Sequence, residues 1–343
     1  MDNSVDQILS EYKARQHWER REYKAALEHA AEAAEKALTE ADVIGYWRMT
    51  LLLAECQLEL GQMQEFAASV KALSEHPALQ SDPRMVARAK AMYSRALEAL
   101  GHVGEALVLA QEVAALRGEG TDDVIGEIEM LHSLVAALTE SGEEKEAWRH
   151  AQEMARLAAE QDDQEVAGKA YWAVGNVAFF QDDAANGLHY HALAAENLAP
   201  GNDVNTWALF NKGSALVRLS AGIANDETLE CIERAELANS VTGGSPLQEL
   251  EISMARAHWL LLTGNADEAS VRLQNILDHR ELLPEHTLAE VEFVSALALH
   301  ELGRNDEALV AAAHSEKVFI GHGAQRRALQ LRGLMESISE NLR

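Results

Sequence analysis

A glycine recurs along this chain at an interval of about 40 residues, counted directly on the sequence. The related turn in the one doubled interval falls at Asp182, and another precedes the first glycine at Arg21. A fixed period of this size is typical of a solenoid of stacked helix pairs, in which each repeat buries its apolar face against its neighbours. The glycines are separated by 40, 41, 80, 42 and 39 residues and are Gly61, Gly101, Gly142, Gly222, Gly264 and Gly303.

The residues that follow each turn repeat as well. An acidic residue stands four positions after most turns, and the next position is often alanine. Small residues on both helices let the two helix axes approach closely, so these alanines are predicted to lie in the contact within each pair. The alanines are Ala26, Ala106, Ala147, Ala269 and Ala308.

The composition favours helices. Hydrophobic residues make up 48% of the 343 residues, and alanine and leucine are prominent among them. No convincing run of alternating apolar and polar residues predicts a strand. All five prolines fall between predicted pairs or at a helix start, where proline is tolerated. They are Pro77, Pro83, Pro200, Pro246 and Pro284.

One turn illustrates a resemblance to the tetratricopeptide repeat family that covers essentially the whole chain. Tyr171, Val174-Gly175, Asp182 and Gly187 fit the family order of an aromatic residue, a small pair, a turn and a small residue on the second helix. The period exceeds the family's usual length of about 34 residues, so the helices are expected to be longer. HEAT-like repeats share the longer period and are the alternative. Repeats of this length also resemble those of bacterial regulators, both peptide-sensing and LuxR-type.

The resemblance implies an all-α fold: a right-handed superhelix of about eight antiparallel helix pairs plus a C-terminal capping helix, about 17 helices without a β-sheet. A single solenoid domain is predicted over residues 1–343. The predicted pairs span residues 4–40, 43–76, 83–117, 122–161, 164–199, 203–241, 246–281 and 285–320, with the cap at 323–341.

The charge balance limits the partners. The chain carries 29 basic and 56 acidic residues, a formal net charge of −27, and such a surface repels nucleic acid and anionic lipid. The N-terminal residues lack the basic and apolar segments of a signal peptide. The two cysteines, Cys56 and Cys231, lie in apolar helical patterns and are expected to be buried free thiols. The chain is therefore expected to be cytoplasmic, without direct nucleic-acid or membrane binding.

No motif points to an enzyme, a cofactor or a metal. The sequence lacks a phosphate loop, a GxGxxG segment after a strand, HExxH and CxxC. His189 and His191 lie two residues apart, which places them on different faces of a helix and disfavours a shared metal. A non-enzymatic protein is predicted, with no cofactor.

The first helix of each pair lines the groove in the tetratricopeptide pattern, at set offsets before the turn. In the second to fifth pairs these offsets place basic and aromatic residues within an acidic chain. Arginine holds a carboxylate through two parallel hydrogen bonds, and asparagine both donates to and accepts from a peptide backbone. The predicted partner site is Arg48, Arg88, Arg95, Lys169, Trp172 and Asn176; the same offsets add Arg15, Trp18, Leu51, Glu55, Glu129, His132, Phe179, Phe180, Glu251, Met254, His258, Phe293 and His300.

Two alternatives stay open for these side chains: the arginines pair with neighbouring glutamates, and the aromatic side chains pack between repeats. The leading function is a scaffold or sensor that binds a protein or peptide, through an acidic segment or a free C-terminus. The second is a ligand-responsive regulatory module of a bacterial transcription-control system that acts through a partner. A structural homo-oligomer is a third, weaker hypothesis.

Overall fold

The computed structural model describes residues 2–116 and 124–341, and all regular structure within these ranges is helical. Two short 3-10 helices, Pro77–Leu79 and Arg280–Leu282, join α-helices. The all-α prediction and the number of helices are confirmed. The α-helices are α1 (Asp2–Glu19), α2 (Tyr23–Thr39), α3 (Val43–Glu59), α4 (Met63–Glu75), α5 (Pro83–Ala99), α6 (Val103–Leu116), α7 (Val124–Glu140), α8 (Glu144–Ala158), α9 (Gln164–Phe180), α10 (Ala184–Asn197), α11 (Val204–Ser220), α12 (Asp226–Thr242), α13 (Pro246–Leu262), α14 (Ala266–Leu277), α15 (Glu285–Glu301), α16 (Asn305–His322) and α17 (Gln325–Asn341).

Contacts between residues group the chain into two compact units, residues 1–137 (unit 1) and 138–343 (unit 2). In unit 1, each helix from α1 to α6 packs against the next one along the chain. In unit 2 the same holds from α8 to α10 and from α11 to α17, and α11 also packs against α9. A single domain over 1–343 stays a prediction, and the predicted limits at 117 and 122 lie outside the described residues.

The predicted turns join the two helices of each pair. All six turn glycines have a left-handed backbone, with φ between 70° at Gly61 and 86° at Gly264. Glycine adopts this conformation without a Cβ clash, which explains its recurrence. Arg21 and Asp182, which stand in for glycine, have φ values of 60° and 59°. The two degenerate copies are therefore true turns of the same kind.

The small residues after the turns are fully buried. The five alanines predicted for this role are all 0% exposed. A larger side chain there would push the paired helices apart, because protein interiors are close-packed. The sequence signal thus corresponds to direct packing within each pair.

Helix starts follow the proline signals. Pro83 and Pro246 occupy the first turn of α5 and α13. The Asp82 side chain accepts hydrogen bonds from the first backbone N–H groups of α5, and Ser245 forms a capping box with Gln248. These caps satisfy N–H groups that lack a partner within the helix. In the part of the chain that the structure describes, no helix combines the length and apolarity that a membrane crossing requires.

The two cysteines are free thiols within helices, as predicted: Cys56 is 0% exposed and Cys231 is 5% exposed. Burial raises the pKa of the Cys56 thiol to about 12 and also raises the pKa of Cys231. Because the thiolate is the reactive form, both should be inert to a thiol reagent such as DTNB in the native chain. Two equivalents should react after denaturation; one fast equivalent from the folded chain would contradict this burial.

Candidate functional site

A cavity of about 360 Å³ lies on the first helices of three consecutive pairs in unit 1. The walls come from α1, α3 and α5, with none from the second helices. The cavity combines two indole rings with three guanidinium groups and carboxylates. Its polar and aromatic lining residues are Arg15, Trp18, Glu19, Trp47, Arg48, Glu55 and Arg88.

Glu11 of α1 holds two of the arginines. Its carboxylate lies 2.9 Å from Arg15 Nη2 and 2.8 Å from Arg48 Nη2. The Arg48 contact joins α1 to α3, whereas the Arg15 contact is one helical turn away on α1. One carboxylate thus faces two guanidinium groups, and the carboxylates of Glu19 and Glu55 also line the cavity.

Arg88 is anchored by a third first helix. Its Nε lies 2.9 Å from Glu129 Oε2 on α7, and its Nη2 donates to Glu129 Oε1 at 3.3 Å. The guanidinium carbon also lies 5.8 Å from the centre of the Trp47 ring, within the range of a cation–π contact. The cation is therefore positioned before any ligand arrives.

The two indoles differ in their surroundings. Trp18 packs against Tyr23 with 5.3 Å between ring centres. Trp47 has a buried indole N–H without an acceptor among the described residues. A buried unpaired donor is uncommon and costs free energy, so an acceptor supplied by a ligand would be stabilising.

Arg95, also predicted for this site, lies further along α5 and does not line the cavity. Its side chain is half-buried and makes no ion pair with the described residues. The cavity therefore brings together Arg48 and Arg88 of the predicted set, along with Arg15, Trp18, Leu51 and Glu55 from the wider offsets.

The remaining three predicted site residues lie on α9 in unit 2. Lys169 pairs with Glu165 one turn earlier, at 2.6 Å. Trp172 packs edge-on against Phe210 of α11, with 5.7 Å between ring centres. Asn176 Oδ1 lies 3.0 Å from His191 Nε2. All three side chains thus have partners within unit 2.

Comparison with known proteins bears on the fold. No protein-family model matches the chain, and no curated protein matches its sequence. The chain is similar to the solved structure of phAimR with its ligand, at 13% identity and a TM-score of 0.57, over 92% of each chain. This likeness agrees with the helix pairs and their left-handed turns. The fold is a tetratricopeptide-like helical repeat.

Two further solved structures align with this repeat array at lower scores. A tetratricopeptide repeat protein from Parabacteroides merdae ATCC 43184 is 12% identical over 91% of this chain and 98% of its own, with a TM-score of 0.48. A Rap protein complexed with Competence and Sporulation Factor is 13% identical over 98% of this chain and 76% of its own, with a TM-score of 0.43.

One cluster in the repeat array resembles a catalytic arrangement and is structural. Ser214 Oγ lies 2.7 Å from His191 Nδ1, and Asn176 accepts at Nε2 on the opposite side of the ring. Ser214 is 0% exposed and His191 1% exposed, so no substrate reaches the hydroxyl. A nucleophile and base need access to a reacting group, which this cluster lacks. Among the described residues, no group of three or more His, Cys, Asp or Glu side chains is placed to hold a metal ion.

Sequence reasoning missed two contributors to the grooves of the repeat array. Trp47 lies one residue from a predicted groove position, and the family offsets do not select it. Arg327 of α17 lines a cavity in unit 2, although α17 was assigned only a capping role. The offsets are counted back from a turn glycine, and α17 has no following turn from which to count.

Proposed function

We propose that this chain is a non-enzymatic binding protein that holds a peptide or protein segment in the groove of unit 1. The observation that carries the proposal is the cavity in which three arginines and two tryptophans converge from three consecutive repeats. Buried aromatic and arginine side chains are the residues that contribute most to binding in protein interfaces. The solved phAimR structure, which has a similar fold and holds a ligand, supports ligand binding by such an array.

The proposed ligand carries a carboxylate, supplied by an acidic segment or by a free C-terminus. Arg48 and Arg88 would bind it, because a guanidinium group matches the two oxygens of a carboxylate. Trp18 and Trp47 would pack against an apolar side chain of the same ligand. A bound carboxylate would share Arg48 with Glu11 and Arg88 with Glu129, so the net gain is smaller than for unpaired arginines.

Arg48 and Arg88 carry the proposal, since they line one cavity. Arg95, Lys169, Trp172 and Asn176 stay predicted contacts. Of these, Trp172 and Asn176 also support the packing of α9 on its neighbours. Replacement of either would therefore change both stability and binding, which makes them poor probes of the site.

The proposal is tested with random heptapeptides that carry a free C-terminus, selected against the immobilised chain. Selected sequences are then synthesised with a free or an amidated end, and their affinities are measured by isothermal titration calorimetry. The free acids should bind more tightly than the amides. In a peptide without acidic residues, the C-terminus is the only carboxylate. If such a peptide binds equally well as the free acid and as the amide, the carboxylate assignment is contradicted.

The affinity for a selected peptide should fall roughly tenfold to a hundredfold in Arg88→Gln, because a hydrogen bond between charged groups is worth about 1.5–3 kcal/mol. Arg84→Gln is the matched control, since Arg84 is exposed on the same helix and lies outside the cavity. The control should bind like the parent. Equal losses in both variants would indicate a general effect of charge and would reject the assignment of Arg88.

A further inference from the structure

Unit 2 contains a second cavity, of about 370 Å³, on α11, α13, α15 and α17. Most of its wall is apolar, and the polar groups collect near α17. Such a combination of apolar walls with a few convergent polar groups is typical of small-molecule sites. The apolar lining residues are Leu216, Leu219, Met254, Leu262, Phe293, Val294 and Leu297.

Arg327 is the cationic group of this cavity, and part of its donor set is unused. Its Nε donates to Glu290 at 2.7 Å, and its Nη1 donates to Ser220 at 2.8 Å and to Gln330 at 3.1 Å. Nη2 makes no hydrogen bond to the described residues. A guanidinium group held by its other nitrogens presents this edge in a fixed orientation.

His258 shares the cavity with Arg327. Its ring makes no hydrogen bond to the described residues, although it lies in the wall. Burial, and secondly the charge of Arg327, lower the pKa of His258 to about 4, so the ring is neutral at neutral pH. A neutral imidazole can donate one hydrogen bond to a ligand oxygen.

The neighbouring residue, Arg326, adds a second guanidinium group beside Arg327. Arg326 lies 3.9 Å from the centre of the Phe180 ring and forms no ion pair with the described residues. Its Nε and Nη2 are buried without an acceptor. Burial and the Arg327 charge lower the pKa of Arg326 to about 10, although Glu140, Glu290 and Glu144 oppose the shift. Two adjacent guanidinium groups thus have one directly bound carboxylate, that of Glu290.

We propose that the cavity of unit 2 binds an apolar molecule with one carboxylate. Its apolar chain would pack against Leu216, Met254 and Phe293, and its carboxylate would accept hydrogen bonds from Arg327 Nη2 and His258. A cation is disfavoured because the one carboxylate of the cavity wall, Glu290, is already paired with Arg327, and an uncharged molecule would leave Arg327 Nη2 unpaired. This site is separate from the peptide groove of unit 1, and either can fail without the other.

Octanoate is the probe, measured by isothermal titration calorimetry against the full chain, with 1-octanol and octylammonium as matched controls. Octanoate should bind at least tenfold more tightly than either control. Met254→Trp, which fills the cavity, should abolish the heat of binding. Equal binding of octanoate and 1-octanol would show that the charged groups take no part, and absence of octanoate binding at millimolar concentration would overturn the proposal.

The polar contacts are tested by separate variants. The affinity for octanoate should fall at least tenfold in Arg327→Gln. It should stay unchanged in Arg332→Gln, since Arg332 is an exposed arginine of the same helix that pairs with Glu316. Arg327 also anchors α17 to Glu290 and Ser220, so its loss can loosen the helix. His258→Phe leaves the Arg327 contacts to Glu290 and Ser220 intact, and the affinity for octanoate should still fall severalfold. Parent-like affinity in both Arg327→Gln and His258→Phe would reject the site.

Discussion

Acidification from pH 6.5 to pH 4.5 should lower the free energy of unfolding by about 2 kcal/mol through one side chain, His191. The ring is buried between α9 and α11, where it bonds to Asn176 and Ser214. Burial, and secondly the charge of Arg218, lower the pKa of His191 to about 3. The folded state therefore keeps this histidine neutral at a pH where the unfolded chain protonates it.

The direction follows from the two pKa values. The unfolded chain binds the proton below pH 6.5, whereas the folded chain binds it only near pH 3, so acid favours unfolding throughout that window. The slope is about 1.4 kcal/mol per pH unit for one proton. The stabilising contribution is fully present above pH 6.5 and is lost as the pH falls towards 3.

Urea unfolding between pH 7 and pH 4.5 measures this slope. In His191→Gln the free energy of unfolding should depend less steeply on pH, by the contribution of one proton, although the variant is less stable at neutral pH. Ser214→Ala removes one hydrogen bond of the cluster but keeps the buried imidazole, so it should retain the slope of the parent. If His191→Gln and the parent depend on pH equally, His191 is accessible to protons in the folded chain.

Gly175→Ala should destabilise the chain by about 2–3 kcal/mol, the cost of overpacking a filled interior. A Cβ at this position would lie 2.2 Å from His191 Cδ2 and 3.2 Å from the backbone oxygen of Gly187. The imidazole is held on both sides by Asn176 and Ser214, so it has little freedom to move. The normal gain from alanine in a helix, about 1 kcal/mol, is therefore outweighed.

Gly333→Ala provides the matched control for this substitution. Gly333 lies within α17, and a Cβ there would meet no heavy atom within 4 Å. The control should therefore gain up to about 1 kcal/mol in the free energy of unfolding, the usual preference for alanine in a helix. A gain at Gly175 as large as the gain at Gly333 would show that the His191 cluster is loosely packed.

The repeat period predicted the fold because it reports a backbone requirement. A left-handed residue is needed at each turn, and glycine meets that need most readily. Arg21 and Asp182 could also be identified as turn residues, because the 40-residue spacing locates these turns even though neither residue is a glycine. The all-α class followed from the same period and from the placement of the prolines.

The groove was predictable only in part. The family offsets selected Arg48 and Arg88, which the structure places around one cavity. Their partners were not predictable, because Glu11 and Glu129 come from neighbouring repeats and the contacts depend on how those helices pack. Likewise, the hydrogen bond of Asn176 to His191 depends on the angle between α9 and α10. Sequence spacing predicts which face of a helix a residue lies on, but it does not predict which side chain of a neighbouring helix contacts that residue.

Two-dimensional NMR of the tryptophan indole N–H groups tests peptide binding in unit 1 most directly. Each signal is assigned with a Trp→Phe variant, and a selected peptide is then titrated into the labelled chain. The Trp18 and Trp47 signals should shift, since both rings line the cavity on α1 and α3, whereas the signal of Trp259 in unit 2 should stay in place. A shift at Trp259, with Trp18 and Trp47 unchanged, would contradict the proposed site.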